Sequence, residues 1–105
     1  MDIYDKPLMT ESRIKDNLCV ALAVDEAYTP FLNIMNKMCD EYGFVLTNSY
    51  GITDMQATFE FHHRVLYLKY YSMLDMVTLE TDAIENELIR EFRKIAIKLG
   101  AHKAP

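Results

Sequence analysis

The residue order of this chain predicts an α+β domain of two layers, with helices on one face of a small mixed or antiparallel sheet. Three observations carry that expectation: an apolar run of strand length, NLCVALAV; a Thr-Pro helix start followed by a 3.6-residue apolar period; and period-two alternation from Met55 onward. A mostly α bundle is the competing architecture, because two of the strand segments also admit a helical reading.

Residues 1–9 have no sustained period and contain Pro7, so they read as a flexible N-terminal arm, loose unless something tethers it; residues 10–105 read as one domain. Asn17 to Val24 reads as a buried strand, since Val20 and Val24 favour extended backbone; its Leu, Ala and Cys residues keep open a helix beginning near Thr10. Thr29 then supplies a helix N-cap and Pro30 a first helical residue ahead of FLNIMNKMCDEY. At about 100° per residue Phe31, Met35, Met38 and Tyr42 share a narrow arc flanked by Ile34 and Cys39, with Asn33, Asn36, Lys37 and Asp40 opposite. Gly43 ends this helix.

Phe44 to Tyr50, bounded by Gly43 and Gly51, reads as a short strand followed by a turn at YGITD. A strand, helix, strand unit of this kind commonly bridges parallel strands. From Met55 to Val65 the odd positions are Met, Ala, Phe, Phe, His and Val, while Gln, Thr, Glu, His and Arg alternate between them. Beyond Val65 the phase reverses, and Leu66, Leu68 and Tyr70 form the apolar set. An unbroken strand from Gln56 to Tyr71 would run roughly 50 Å, against a radius of gyration near ~13 Å for a domain of this size. The strand must therefore bend or break, and a bulge near Arg64 to Leu66 is expected. A helix from Thr53, with Thr53 and Gln56 as a capping box, is the second reading of this segment.

The final helix carries an Asp82-Ala-Ile-Glu85 capping box and a face made of Ile84, Leu88, Phe92, Ile95 and Leu99, and Gly100 stops it. Glu85 and Glu87 lie early and Arg93, Lys94 and Lys98 late, as the helix dipole favours. Ile97 falls off the apolar face, between Arg90 and Arg93, and is expected to be exposed.

Bulk composition narrows the function classes. With 105 residues, half of them hydrophobic and 26% charged, the chain suits one ordinary globular domain. The formal net charge of −5 opposes phosphate-backbone binding, so nucleic acid is an unlikely partner. Cys19 and Cys39 sit in apolar runs without CxxC spacing, which suits free thiols in a reducing compartment and offers no zinc signature. The opening MDIYDKPLMTESR is charged where a signal peptide would be apolar, and no run is long enough to span a membrane. The expectation is a cytoplasmic protein with no membrane association.

Signatures of chemistry are sparse. Gly43, Gly51 and Gly100 are too far apart for a phosphate loop, and no HExxH, GxSxG or EF-hand pattern occurs, so no cofactor, metal or catalytic set is assigned and an enzyme is the less favoured class. His62 and His63 are the ligand or pH-switch candidates; on a strand they would point to opposite faces, His63 toward the core and His62 toward solvent. Tyr67, Tyr70, Tyr71 and Met73, with Ile97, are the interface candidates, since tyrosine joins a rigid apolar body to a polar handle. The reading these residues favour is a small acidic interaction, regulatory or assembly protein that binds a protein partner or itself, most simply as a dimer. A small-molecule binder or enzyme using His63 and Tyr67 is one alternative. An acidic inhibitor that mimics nucleic acid, using the cation-free run Asp75, Glu80, Asp82, Glu85 and Glu87, is the other.

Overall fold

The computed structural model describes residues 3–24 and 28–102 and gives an α+β domain in which two helices pack on a six-stranded, wholly antiparallel sheet. Its radius of gyration is 12.8 Å and its longest dimension 41 Å. A short 3₁₀ turn (Ile3–Asp5) leads to β1 (Glu11–Ile14), β2 (Asn17–Val24), α1 (Tyr28–Asp40), β3 (Leu46–Gly51), β4 (Met55–Phe61), β5 (Arg64–Tyr71), β6 (Met76–Thr81) and α2 (Asn86–Lys98). The strands lie in the order β1-β2-β6-β5-β4-β3. A helical bundle is therefore excluded, and so are the helical readings of NLCVALAV and of residues 53–70.

The expected long bent strand is instead a hairpin. Phe61 pairs with Arg64, so His62 and His63 are the whole turn, and each odd residue of β4 faces an even residue of β5. A two-residue loop necessarily exchanges the parity of the inward set, which explains the phase reversal without any bulge. His62 holds φ +50°, the left-handed value that a tight hairpin demands of its first turn residue. Histidine tolerates that region better than most side chains, yet it carries none of the Gly, Asn or Asp lettering by which such turns are read.

One face of the sheet carries the core. Leu18, Val20, Val77, Leu79, Leu66, Leu68, Ala57 and Phe59 are all buried and occupy matching register positions on four strands. Phe31 and Met38 from α1, Phe92, Ala96 and Leu99 from α2, and Leu8 from the N-terminal segment complete it. Tyr70 belongs to this side, where its ring meets Tyr28 edge-on at 5.9 Å and Phe31 at 6.4 Å. The anticipated parallel unit is looser than expected: β2 and β3 run in the same direction, but β6, β5 and β4 lie between them.

Helix ends differ from their sequence signals. α1 already includes Thr29 and Pro30. Its C-terminus does use Gly43 at φ +69°, and the Phe44 amide returns to the Met38 carbonyl at 2.9 Å. α2 starts three residues later than the capping box implies, with Glu85 at the N-cap and no side-chain cap. The Glu85 carboxylate instead accepts from Arg64 at 2.6 Å, and Ile84, no longer helical, is exposed. Ile97 is half-buried and packs against the core, because the helix is flanked on that side by other elements.

Arg93 was placed by its position near the helix end, yet its role is internal. It is 8% exposed and grips Glu11 with two bonds of 2.8 Å, while a third donates to the Tyr4 carbonyl at 2.9 Å. Glu11 also accepts from the Leu8 amide at 3.2 Å, and Met9 donates to the His102 carbonyl at 3.1 Å. Residues 3–9 are thus tethered by α2 and by the C-terminal segment; Met1 and Asp2 of the expected arm lie outside the described residues.

Two stability outcomes follow from these contacts. Arg93→Met leaves a buried carboxylate without its cation and is expected to cost about 3–5 kcal/mol, most of which Glu11→Leu in the same chain restores, as read by urea denaturation of the full double-mutant cycle. His62→Gly relieves a left-handed non-glycine residue and is expected to add about 1 kcal/mol to stability in the same assay; a loss of stability would show that the turn depends on the imidazole.

Candidate functional site

The residues selected from sequence do not form one patch. Along β5 the side chains alternate, so Tyr67, Lys69 and Tyr71 project from the helix-free face while Tyr70 enters the core side. Met73 sits in the β5–β6 turn, almost wholly exposed at 98%. Ile97 lies on α2, on the helix-covered side of the sheet. Neither histidine faces the core: both are exposed in the β4–β5 turn, and His63 stands about 13 Å along the strand from Tyr67, too far for joint action on one small group.

The helix-free face closes over a polar cluster of its own. Glu80, in the central strand β6, is 1% exposed, yet no helix covers it. Lys69 Nζ lies 3.2 Å from its Oε1, and its Oε2 accepts from the Tyr71 hydroxyl and the Thr78 hydroxyl, each at 2.8 Å. The Lys69 ammonium also stands over the Tyr67 ring at 5.2 Å, so two long side chains and a ring form the lid. Cys19 lies directly across from Glu80 in the β2–β6 register and is itself buried. Burial pushes its thiol up to about 11, and the neighbouring Glu80 charge adds to the rise. Tyr71 is likewise held well above its ordinary value, first by burial and then by its hydrogen bond to Glu80. Both groups are kept protonated and unreactive.

This cluster changes the standing of the acidic run. Glu80 is internal and paired, and Arg64 stands 2.6 Å from Glu85 and 3.9 Å from Asp82. The run is free of cations in sequence but not in space.

His62 does border a cleft of about 560 Å³ between the end of α1, the β4–β5 turn and α2. Its wall includes Tyr42, Phe44, Phe61 and Ile95, its rim Glu41, Glu91 and Lys98. His62 meets Phe61 edge-on at 5.0 Å. Among the described residues no group of three or more His, Cys, Asp or Glu side chains is placed to hold a metal ion, and no helix is long and apolar enough to cross a membrane.

The strand expected at Phe44 to Tyr50 is present as β3 (Leu46–Gly51), and what sequence reasoning passed over is its place at the exposed edge of the sheet. All six of its residues, Leu-Thr-Asn-Ser-Tyr-Gly, are exposed on both faces, and it forms one edge of the sheet. It contains no charge and no proline. Val45, Leu46, Tyr50 and Ile52 extend an apolar margin along it, at 56%, 40%, 56% and 99% exposure. The opposite edge, β1, is four residues long and carries Glu11 and Arg13, with Lys15 and Asp16 in its turn. Sheets ordinarily guard their edges with charge, shortness, proline or a bulge; β1 is short and charged, whereas β3 has no charge or proline and carries only a bulge at Thr47. The geometry of β3 is nevertheless firmly held. Thr47 is bulged, with its hydroxyl on the Thr58 carbonyl at 3.0 Å, and a Cβ at Gly51 would overlap the Asp54 carbonyl oxygen. Asp54 in turn accepts from both the amide and the hydroxyl of Ser72 at 2.8 Å, fastening the β3–β4 loop to the β5–β6 turn that bears Met73 and Leu74. The sequence signal was present: Thr47, Asn48 and Ser49 place polar side chains on both parities, which marks a strand with no buried side.

The protonation of the polar cluster sets a pH dependence. An acid that holds its proton more tightly in the folded state costs stability once the unfolded chain ionises first, so stability is expected to fall between about pH 9 and 11. Cys19→Ala flattens that fall in pH-dependent urea titrations, and in native protein at mildly alkaline pH Cys19 reacts with a thiol reagent far more slowly than in the unfolded chain. Equal rates in the two states would show that the thiol is not shielded as described.

Comparison with protein-family models, with curated proteins and with solved structures found no match to this chain.

Proposed function

We propose that this protein is an interaction and assembly module whose docking element is the β3 edge, which accepts a further strand from a partner chain. The observation that supports this reading is the contrast between the two sheet edges: a charged, short β1 and an uncharged, fully exposed β3. Strand addition uses the outward backbone amides and carbonyls of an edge for affinity and its alternating side chains for selectivity. A rigid edge loses little conformational entropy on docking, and the Thr47 and Asp54 hydrogen bonds supply that rigidity.

This reading moves the interface away from Tyr67, Tyr70 and Tyr71. Tyr67 and Tyr71 already line the lid over Glu80, and Tyr70 is engaged with α1. Tyr50, which sequence analysis did not single out, takes their place as the exposed aromatic anchor. Met73 stays close to the edge, because the Asp54–Ser72 contacts join its turn to the end of β3.

A photoreactive residue replacing Tyr50 is expected to give a cross-linked adduct in the protein's native cells, whether with a second copy or with another protein. The same probe at Arg13 on β1 gives none, and Asn48→Lys on β3 abolishes the Tyr50 adduct. Equal labelling from both edges, or none from either, would remove β3 as the docking element.

A further inference from the structure

Independently of the β3 edge, we infer that the cleft between the end of α1, the β4–β5 turn and α2 is a binding site for a small organic amine with an apolar or aromatic body. Its volume of about 560 Å³ suits a small ligand. Three aromatic rings, those of Tyr42, Phe44 and Phe61, form its wall together with Ile95. Two of the rings are held by neighbours: Phe44 meets the buried Phe59 edge-on at 6.2 Å, and Phe61, itself buried, meets His62 edge-on at 5.0 Å. The face of an aromatic ring is electron-rich and attracts cations, and it offers an anion no such attraction.

The chain displays that preference with its own cations. The ammonium groups of Lys37 and Lys98 both stand 5.8 Å from the centre of the Tyr42 ring. Neither lysine makes an ion pair among the described residues, and neither do Glu41 and Glu60, which bring carboxylates to the cleft from the end of α1 and from β4. The third carboxylate, Glu91, is shared with Lys94 at 3.4 Å. The cleft also opens at the C-terminal end of α1, the negative pole of that helix. Lys98 is the only lysine or arginine in the described lining, and its head group rests on the ring at the end of a long, exposed side chain. A ligand ammonium seated on Tyr42 takes the place of that head group and gains the Glu41 and Glu60 carboxylates, while its apolar body covers Phe44 and Phe61. A carboxylate or phosphate ligand meets the reverse, with Lys98 in its favour and two unpaired carboxylates against it.

Phenethylamine and hydrocinnamate share a phenyl body and differ in the charge of the head group, so the pair separates these cases. In NMR titrations of the full chain, millimolar phenethylamine is expected to shift the backbone amides of Tyr42, Phe61, His62 and Ile95 and to leave that of Leu79, in the central strand, in place. Hydrocinnamate is expected to move none of them. Glu41→Gln with Glu60→Gln is expected to weaken amine binding about two- to fivefold, and Lys98→Met to strengthen it by a similar factor, because the internal competitor is gone. Damage to the fold would weaken binding in both variants, so opposite signs cannot arise from unfolding. Hydrocinnamate binding as tightly as the amine, weaker amine binding in Lys98→Met, or no shift of the cleft amides with phenethylamine overturns the inference. Each of those results leaves the reading of β3 to its own test.

Discussion

The fold turns on β6, the last strand in the chain and the middle of the sheet. It pairs along its length with both β2 and β5, which are far apart in sequence, and without it the N-terminal hairpin and the β3–β4–β5 meander would be separate sheets. Residues 77–81 are all buried, on both faces of the strand. A strand buried on both sides must satisfy two environments with alternate residues, and β6 does so with Val77 and Leu79 under the helices and Thr78 and Glu80 on the other side. The pairing of β2 with β6 also joins segments distant in the chain, which raises the loop-closure entropy that folding must overcome.

Glu80 follows from that geometry. A carboxylate at the centre of a sheet could be repaid by an outside partner, but here Lys69, Tyr71 and Thr78 satisfy it within the chain. The consequence reaches Cys19, which is locked as a neutral thiol, and Tyr67, whose ring is committed to Lys69. A helix-free face that supplies its own lid has little need of a covering protein. The unsatisfied surface lies sideways instead, at the edge.

Parts of this organisation are legible in the amino-acid order and parts are not, for identifiable reasons. The two-layer α+β class, the α1 face of Phe31 and Met38, and the Phe92 and Leu99 face of α2 follow from periodicity, which burial enforces. The break in the stretch FEFHHRVLYLKYY was also readable, since its extended length exceeds the molecule; its form was not, because two histidines perform a turn usually marked by Gly, Asn or Asp. β6 was missed because the alternation of Val77, Thr78, Leu79 and Glu80 lasts only four residues, and its polar members read as surface although they are buried. The Arg93–Glu11 pair was invisible for a different reason: its partners are 82 residues apart, and a cation near a helix end already had a local explanation in the dipole. Of the interface candidates, Met73 is exposed beside the edge, while Tyr70 and Ile97 pack on the core side.

The two edges of the sheet express how the chain distributes its constraints. β1 is drawn into the body: Glu11 is held by Arg93, and the Thr10 hydroxyl bonds the Ala21 carbonyl at 2.9 Å. The same contacts that tether the N-terminal segment therefore fix the start of that edge against α2 and β2. β3 receives no equivalent attention from the helices, since α1 lies against β5 and β6 and α2 against the N-terminal turn. Two helices cannot cover six strands, and the uncovered remainder falls on the strand whose side chains are uncharged and whose conformation is fixed by the Thr47 bulge, Gly51 and Asp54. An edge that was merely left over would be expected to carry lysine or proline against unwanted pairing. The absence of charge and proline on β3, together with its local rigidity, is what supports the proposal of β3 as a docking edge.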